Sequence, residues 1–331
     1  MRRFPWLAIA AGLSIGAQEP STTFKVTTPL VLVPATVTDK KGHTIDGLTE
    51  SDFVVLDNGV PQKPSLEFTL SPISLVVVIE ANLRSGPVLR KVQKIGSLIQ
   101  PLVLGERGAV AIVTFTDEIR VWQDFTSKPE VIGSCLKNLL PQGEGVRMHD
   151  AVAKAVDMLV ERKDRARRRV VIVVSESKDH GSKTKLADLV TRAQEANVIV
   201  YPLTYSVYMT AFTTKGGETF GPNGPPVYDA DTGGLKTIFT ELGALSKENS
   251  HAAFAKFTGG EQLRFAKLDG LEKVISKIGE DLHSQYLLSF TPAGASSEDK
   301  PGFHKLELRV PGRPDAAIRT RPGYWASAKN F

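Results

Sequence analysis

Residues 73–86 read Ile73-Ser-Leu-Val-Val-Val-Ile-Glu80-Ala-Asn82-Leu-Arg84-Ser85-Gly86, and they decide the fold. A near-continuous apolar run rich in β-branched residues is the pattern of a strand covered on both faces. It ends in an acid and a polar loop that lead into a helix. A buried strand delivering polar side chains to its carboxyl end belongs to an open α/β sheet, whose ligands sit outside those ends.

Similar runs recur at 109–115, 170–175 and 198–203. The segments between them carry apolar residues at three- and four-residue spacing, the mark of a helix face. Val152, Ala155, Val156 and Leu159 share one face of 148–159, and Leu271, Val274, Ile275, Ile278 and Leu282 share one face of 271–282. Strand–helix alternation predicts a doubly wound, mostly parallel, Rossmann-like sheet with right-handed crossovers over residues 73–284. Segment 206–247 interrupts that rhythm with a Gly- and Pro-rich stretch, a long loop insertion on the ligand side that is either functional or disordered.

Both flanks read as β-structure. Upstream, within 24–69, strands are expected at 31–38, 53–56 and 65–69, with a capped helical turn at 48–53. Downstream, within 285–325, they are expected at 284–291, 303–310 and 317–320. Along 303–310 the alternation puts Phe303, Lys305, Glu307 and Arg309 outward and Leu306, Leu308 and Val310 inward. Neither flank has enough strands to be stable alone. The α/β domain is therefore expected to be inserted in, or flanked by, a small β-sandwich-like module built from both flanks.

Arg2 and Arg3, a short apolar run over 4–15 and the small pair Gly16-Ala17 read as a secretory signal peptide, residues 1–17. That run is too short to span a bilayer. A secreted or periplasmic protein is expected, with no integral membrane segment after cleavage. The formal charge of +5 becomes +3 without residues 1–17, which does not call for nucleic acid. The basic run 162–169 reads as a solvated helix end. Cys135 is the single cysteine, so no intrachain disulfide forms, and it reads as a packing residue of a short helix.

Further motifs carry a family resemblance. The 75–80 strand with its acidic end, Gly145-Val-Arg-Met-His-Asp-Ala-Val152, Val171-Ile-Val-Val-Ser-Glu-Ser-Lys-Asp179 and Phe257-Thr-Gly-Gly260 together resemble a von Willebrand factor A-type (VWA) domain. The flanks, including Ser284-Gln-Tyr-Leu-Leu288 and the closing Arg321-Pro-Gly-Tyr-Trp325, look like the secreted VWA-related proteins known chiefly from Acidobacteria. The resemblance implies a site for an octahedral divalent ion, usually Mg²⁺, built from an Asp and two Ser of the first loop, a Thr of the second and an Asp of the third. Here Glu80, Asn82, Arg84, Val146 and Glu176 stand at those positions. All three hydroxyls are gone, both acids are a methylene longer, and Val146 has no ligand atom, whereas such an ion demands compact oxygen ligands. The positions are degenerate, and neither metal nor cofactor is expected. Two fates are open to Arg84. It either replaces the ion by pairing with Glu80 or Glu176, as a guanidinium fork suits a carboxylate, or it points to solvent.

No phosphate-cradling loop, nucleophile elbow or zinc spacing is present. The expectation is an exported, non-enzymatic protein that binds a protein partner, in contact or adhesion, through the C-terminal edge of its sheet. Its candidate contact residues are Glu80, Asn82, Arg84, Ser85, Arg147, His149, Glu176, Asp179 and His180. The alternatives are a metal-dependent adhesion protein using Glu80, Asn82 and Glu176, and a hydrolase using Glu80 and Glu176 as an acid pair.

Overall fold

The computed structural model describes residues 30–67, 71–94, 96–162, 167–176, 178–205, 242, 249–265, 268–292 and 302–326. The leader read at 1–17, and all of the 206–247 insertion except Leu242, lie outside the described residues.

The central sheet has the order β10-β9-β8-β5-β6-β7. Its strands are β5 (Ile73–Glu80), β6 (Ala109–Phe115), β7 (Ile119–Thr126), β8 (Arg168–Ser175), β9 (Val198–Tyr205) and β10 (Leu263–Phe265). The strands pair in parallel except β7, which returns antiparallel on β6 through a tight turn, with register irregularities near Ile112. Every residue of β5 is buried. Alternation sends Leu75, Val77 and Ile79 to one face and Val76 and Val78 to the other. The first face packs on helices α1 (Gly86–Val92), α3 (Pro129–Lys137) and α7 (Leu268–Ser284), and on α2 (Gly96–Ile99), which runs on as a wider turn over Gln100–Leu104. The second packs on α4 (Met148–Glu161), α5 (Leu186–Glu195) and α6 (Ser250–Thr258). A strand buried on both faces holds few polar side chains, each needing an internal partner, so groups that can meet a ligand gather at the strand ends.

Winding reverses between β5 and β8, the neighbours in the middle of the sheet. In open α/β sheets this reversal is where the following loops diverge and ligands bind. The register sets Ile79 beside Val174, and so brings Glu80 level with Ser175.

Two four-stranded sheets flank this domain, in the orders β13-β1-β11-β4 and β14-β12-β2-β3. They consist of β1 (Val31–Thr38), β2 (Val54–Asp57), β3 (Val60–Gln62), β4 (Ser65–Glu67), β11 (Tyr286–Phe290), β12 (Gly302–Arg309), β13 (Ala317–Thr320) and β14 (Gly323–Ala326). Upstream strand β1 pairs with downstream β11 and β13, and β2 pairs with β12. Both sheets share one core that includes Val33, Ala35, Phe53, Val55, Leu288, Phe290, Leu306 and Tyr324. The expected face of β12 needs one correction: Phe303 is buried, not outward. It stacks edge-on against Trp325 of β14, and Gly323, having no side chain, leaves room for its ring.

Polar groups join the two parts. Asp281 of α7, which is 7% exposed, accepts hydrogen bonds from Thr36 Oγ1 of β1 (2.8 Å), Tyr201 Oη of β9 (2.5 Å) and Arg319 of β13. Arg168 is buried rather than solvated, which corrects the reading of the basic run. It donates to the Leu282 carbonyl and to Gln285 Oε1 (2.5 Å). Buried charges persist where partners are supplied, and here both parts of the chain supply them.

Candidate functional site

The site gathers at the ends of β5 and β8, the loop before α4, and the first turn of α6. Glu80 closes β5 and is 2% exposed. Asn82 caps the short 3-10 turn Leu83–Ser85, its Oδ1 accepting from the backbone N–H groups of Arg84 and Ser85, both at 3.0 Å. This is the capping bond that favours Asn before a helical turn. It also fixes the amide. With Oδ1 committed, Nδ2 faces Glu80 and donates to Oε1 at 2.7 Å. The other carboxylate oxygen accepts from Ser175 Oγ (2.7 Å) and from the Glu176 backbone N–H (2.9 Å). Ser85 turns its hydroxyl to the Asn82 carbonyl (2.7 Å). Val146 is buried, and its carbonyl accepts from the His180 N–H (3.0 Å).

These residues do not fit a divalent ion. Mg²⁺ needs oxygen ligands at about 2.0–2.1 Å in octahedral array. The Asn82 amide aims N–H groups, not oxygen, at the carboxylate, and Val146 offers only methyl groups. The Asn82 amide, the Ser175 hydroxyl and the Glu176 N–H supply neutral hydrogen bonds to this buried carboxylate, as a buried polar group requires. Among the described residues, no three His, Cys, Asp or Glu side chains gather as a metal cage.

Of the two fates open to Arg84, the structure takes the second. Its side chain is exposed and makes no ion pair with Glu80 or Glu176. Glu176 is half-buried.

The remaining expected contact residues divide into two kinds. Arg147, His149 and Asp179 are committed to internal bonds. Arg147 pairs with the buried Asp150 (2.8 Å), and its Nη1 donates to the Asp117 carbonyl (3.1 Å). Asp179 accepts from the His149 backbone N–H (2.8 Å) and from Ser182 Oγ (2.6 Å). His149 Nε2 lies 3.1 Å from Ser250 Oγ of α6, and burial holds its pKa below the usual value, against the pull of Asp179 and Asp150. His180, by contrast, is exposed at the rim, as is Lys178.

Several residues of the site were not read from sequence. Asp150 fastens the loop after β8 by accepting from the Lys183 N–H and the Thr184 N–H (2.8 Å). Burial raises its pKa, but the bonds from Thr184, Lys183 and Arg147 outweigh it and hold the carboxyl well below the usual range. Asp117 accepts from the Glu144 N–H (2.9 Å), which with Gly145 lowers its pKa. Two further buried residues feel the charge of Glu80. Tyr205 ends β9 with its hydroxyl beside that of Ser85, whose proton is committed to the Asn82 carbonyl; burial, then Glu80 and Glu176, push its pKa well up, and Ser85 pulls it down only in part. His251, in the first turn of α6, has an unpartnered Nε2, and burial lowers its pKa to about 4. Ser175 was legible in principle, since it ends the apolar run of β8 as Glu80 ends that of β5. His251 carried no sequence signal, because its position depends on how α6 packs.

A model of the von Willebrand factor type A domain matches residues 90–178. No curated protein matches the chain. Similar solved structures include an aerotolerance-related membrane protein from Bacteroides fragilis, at 13% identity and a TM-score of 0.43, covering 63% of this chain and 98% of that one. The conserved hypothetical protein BatB from Bacteroides thetaiotaomicron, at 16% identity and 0.43, covers the same shares. Proximal thread matrix protein 1 from the mussel byssus, at 12% identity and 0.45, covers 68% of this chain and 49% of that one.

Proposed function

From the premise that the chain carries a von Willebrand factor type A domain, we propose that it is a non-enzymatic, exported protein that binds a protein partner through the carboxyl edge of its central sheet, without a divalent ion. One observation carries the reading. Glu80, at the heart of the edge, is buried and satisfied by Asn82, Ser175 and the Glu176 N–H. A carboxylate held by three such bonds has no need of a cation. The same saturation argues against acid–base work by Glu80 and Glu176, because a general acid or base must reach a substrate proton. Export rests on the leader read at residues 1–17. Among the described residues, no helix is long and apolar enough to cross a membrane.

The test is a selection of displayed peptides on the immobilised protein, run once in EDTA and once in Mg²⁺. The reading predicts the same clones in both, with binding weakened when Arg84 and His180 are both replaced by Ala. Clones that appear only with Mg²⁺ would sink the metal-free reading. Clones indifferent to both substitutions would move the binding face elsewhere.

A further inference from the structure

Away from the carboxyl edge, a cleft of about 680 Å³ lies where the flanking module meets the end of α7. It gathers two imidazoles and two carboxylates: His43 and Asp46 from the segment after β1, and Glu280 and His283 from α7. Sequence spacing could not show this group, because its halves come from opposite parts of the chain. On α7, Ile278 and Leu282 are buried in the core, so Glu280 and His283, three residues apart, share the outward face. The segment after β1 is also fixed. Asp39 N–H donates to the His43 carbonyl and Ile45 N–H to the Val37 carbonyl, and Tyr286, just past α7, donates its hydroxyl to the Ile45 carbonyl (2.8 Å).

The His43 ring is already oriented for a ligand's part. Its Nδ1 lies 3.3 Å from Asp39 Oδ2, and Asp39 Oδ1 accepts from the backbone N–H groups of Lys41 (2.7 Å) and His43 (2.9 Å), the latter lowering its pKa most. An ionised carboxylate can only accept, so Nδ1 carries the proton and Nε2 keeps its lone pair. Metal-bound imidazoles ordinarily have such an outer carboxylate. Burial, then the charge of Arg168, lower the His283 pKa and favour the neutral ring, the form that binds metal. The Arg168 guanidinium is itself committed to the Leu282 carbonyl and Gln285 Oε1. Among the described residues, Asp46 and His283 make no hydrogen bond or ion pair, and the Glu280 carboxylate accepts from Ser276 Oγ alone, at 3.4 Å.

We infer that this cleft binds one Zn²⁺, with His43 Nε2, a ring nitrogen of His283 and the carboxylates of Asp46 and Glu280 as its ligands. Two imidazoles and two carboxylates make the four-coordinate shell that zinc takes. The four do not close into a cage in the structure. All four side chains are exposed, so the ion draws them in by changes of rotamer rather than of backbone. Bound there, it staples the segment after β1 to the end of α7, and so the flanking module to the α/β domain. Mg²⁺, Ca²⁺ and Mn²⁺ prefer carboxylate, carbonyl and water oxygens, so the imidazole pair selects against them.

The experiment titrates the whole chain, stripped of metal and carrying no histidine tag, with Zn²⁺, read by calorimetry and by the ring signals of its six histidines. One ion per chain is expected, with shifts at His43 and His283 alone and with the same affinity in Glu80→Gln. His43→Ala and His283→Ala should each weaken binding at least about tenfold, since even outer partners of a ligand are worth that. Asp39→Asn should weaken it by about tenfold, because the amide keeps the acceptor for the two N–H groups but donates to Nδ1 and so moves the ring proton to Nε2. Zn²⁺ should also raise the melting midpoint of the parent and of neither His variant. Both histidines are exposed, so the variants should melt as the parent does in EDTA. No binding, binding that survives both His substitutions together, or shifts at other histidines (an adventitious ion only) would overturn the inference and leave the metal-free sheet edge standing. Zinc binding lost in Glu80→Gln would place the ion at that edge and overturn both.

Discussion

Asp281→Asn is the substitution with the most to lose. The carboxylate of Asp281 is the common acceptor for Thr36, Tyr201 and Arg319, and so for β1, β9 and β13 at once. Asn keeps the shape and one oxygen, and the Tyr201 hydroxyl can rotate to accept from the new amide. What is lost is the negative charge that Arg319 needs, leaving that guanidinium with Glu261 at 3.9 Å. Breaking a buried pair by removing one partner costs about 3–5 kcal/mol. At the lower figure the melting midpoint should fall by roughly 4 °C in a chain of 331 residues. A second substitution, Arg319→Met, should restore part of the loss, since it removes the stranded charge. The pH dependence has a definite sign. Burial raises the Asp281 pKa, but Arg319, Tyr201 and Thr36 outweigh it, so the folded value lies below the unfolded one. The contribution is therefore complete above the unfolded value of about 3.9 and disappears as pH falls from there through the folded value. Calorimetric melts of parent, single and double variants would measure this. A single-variant loss under about 1 kcal/mol, or an undiminished difference as the pH is taken well below the carboxylate range, would refute the reasoning.

Other consequences follow from packing. Gly279→Ala would place a methyl group 1.9 Å from the Leu102 carbonyl, where α7 crosses the wide turn after α2, and should cost about 2 kcal/mol or more in a urea titration. A neutral result would mean that the two segments are not in close contact. Tyr205→Phe removes a buried hydroxyl whose neighbour, Ser85, already donates to the Asn82 carbonyl, and should change stability by less than about 1 kcal/mol, whereas a larger loss would show that Tyr205 and Ser85 form a full hydrogen bond. Cys135 is half-buried and its thiol is pushed up by burial, so iodoacetamide should react with it more slowly at neutral pH than with free cysteine, and unfolding should abolish the difference.

The sheet was legible because its signal is local. β5, β6, β8 and β9 are buried on both faces and read as apolar runs, so their positions follow from composition alone. β7 was missed for the converse reason. It is a half-exposed edge strand whose polar and aromatic residues, Arg120, Trp122 and Gln123, carry no such run. Phe303 was misplaced because alternation cannot foresee that Gly323 on the adjoining strand opens space for its ring. At the site, the loss of the hydroxyl ligands was plain from Asn82, Arg84 and Val146. What fills the place was not, since the choice between the Arg84 guanidinium and the Asn82 amide turns on a capping bond three residues long. His251 and Tyr205 reach Glu80 from elements more than a hundred residues away in the chain.

The central claim is that the Asn82 amide and its neighbours, not an ion, satisfy Glu80. A thermal melt of the protein in EDTA and in millimolar Mg²⁺, Mn²⁺ or Ca²⁺ tests it most directly, because a ligand that binds only the folded state must raise the midpoint. The account predicts the same midpoint in every buffer. A rise with one of these ions, removed by EDTA and absent in Glu80→Gln, would contradict it and make Glu80, Asn82 and Glu176 a metal site.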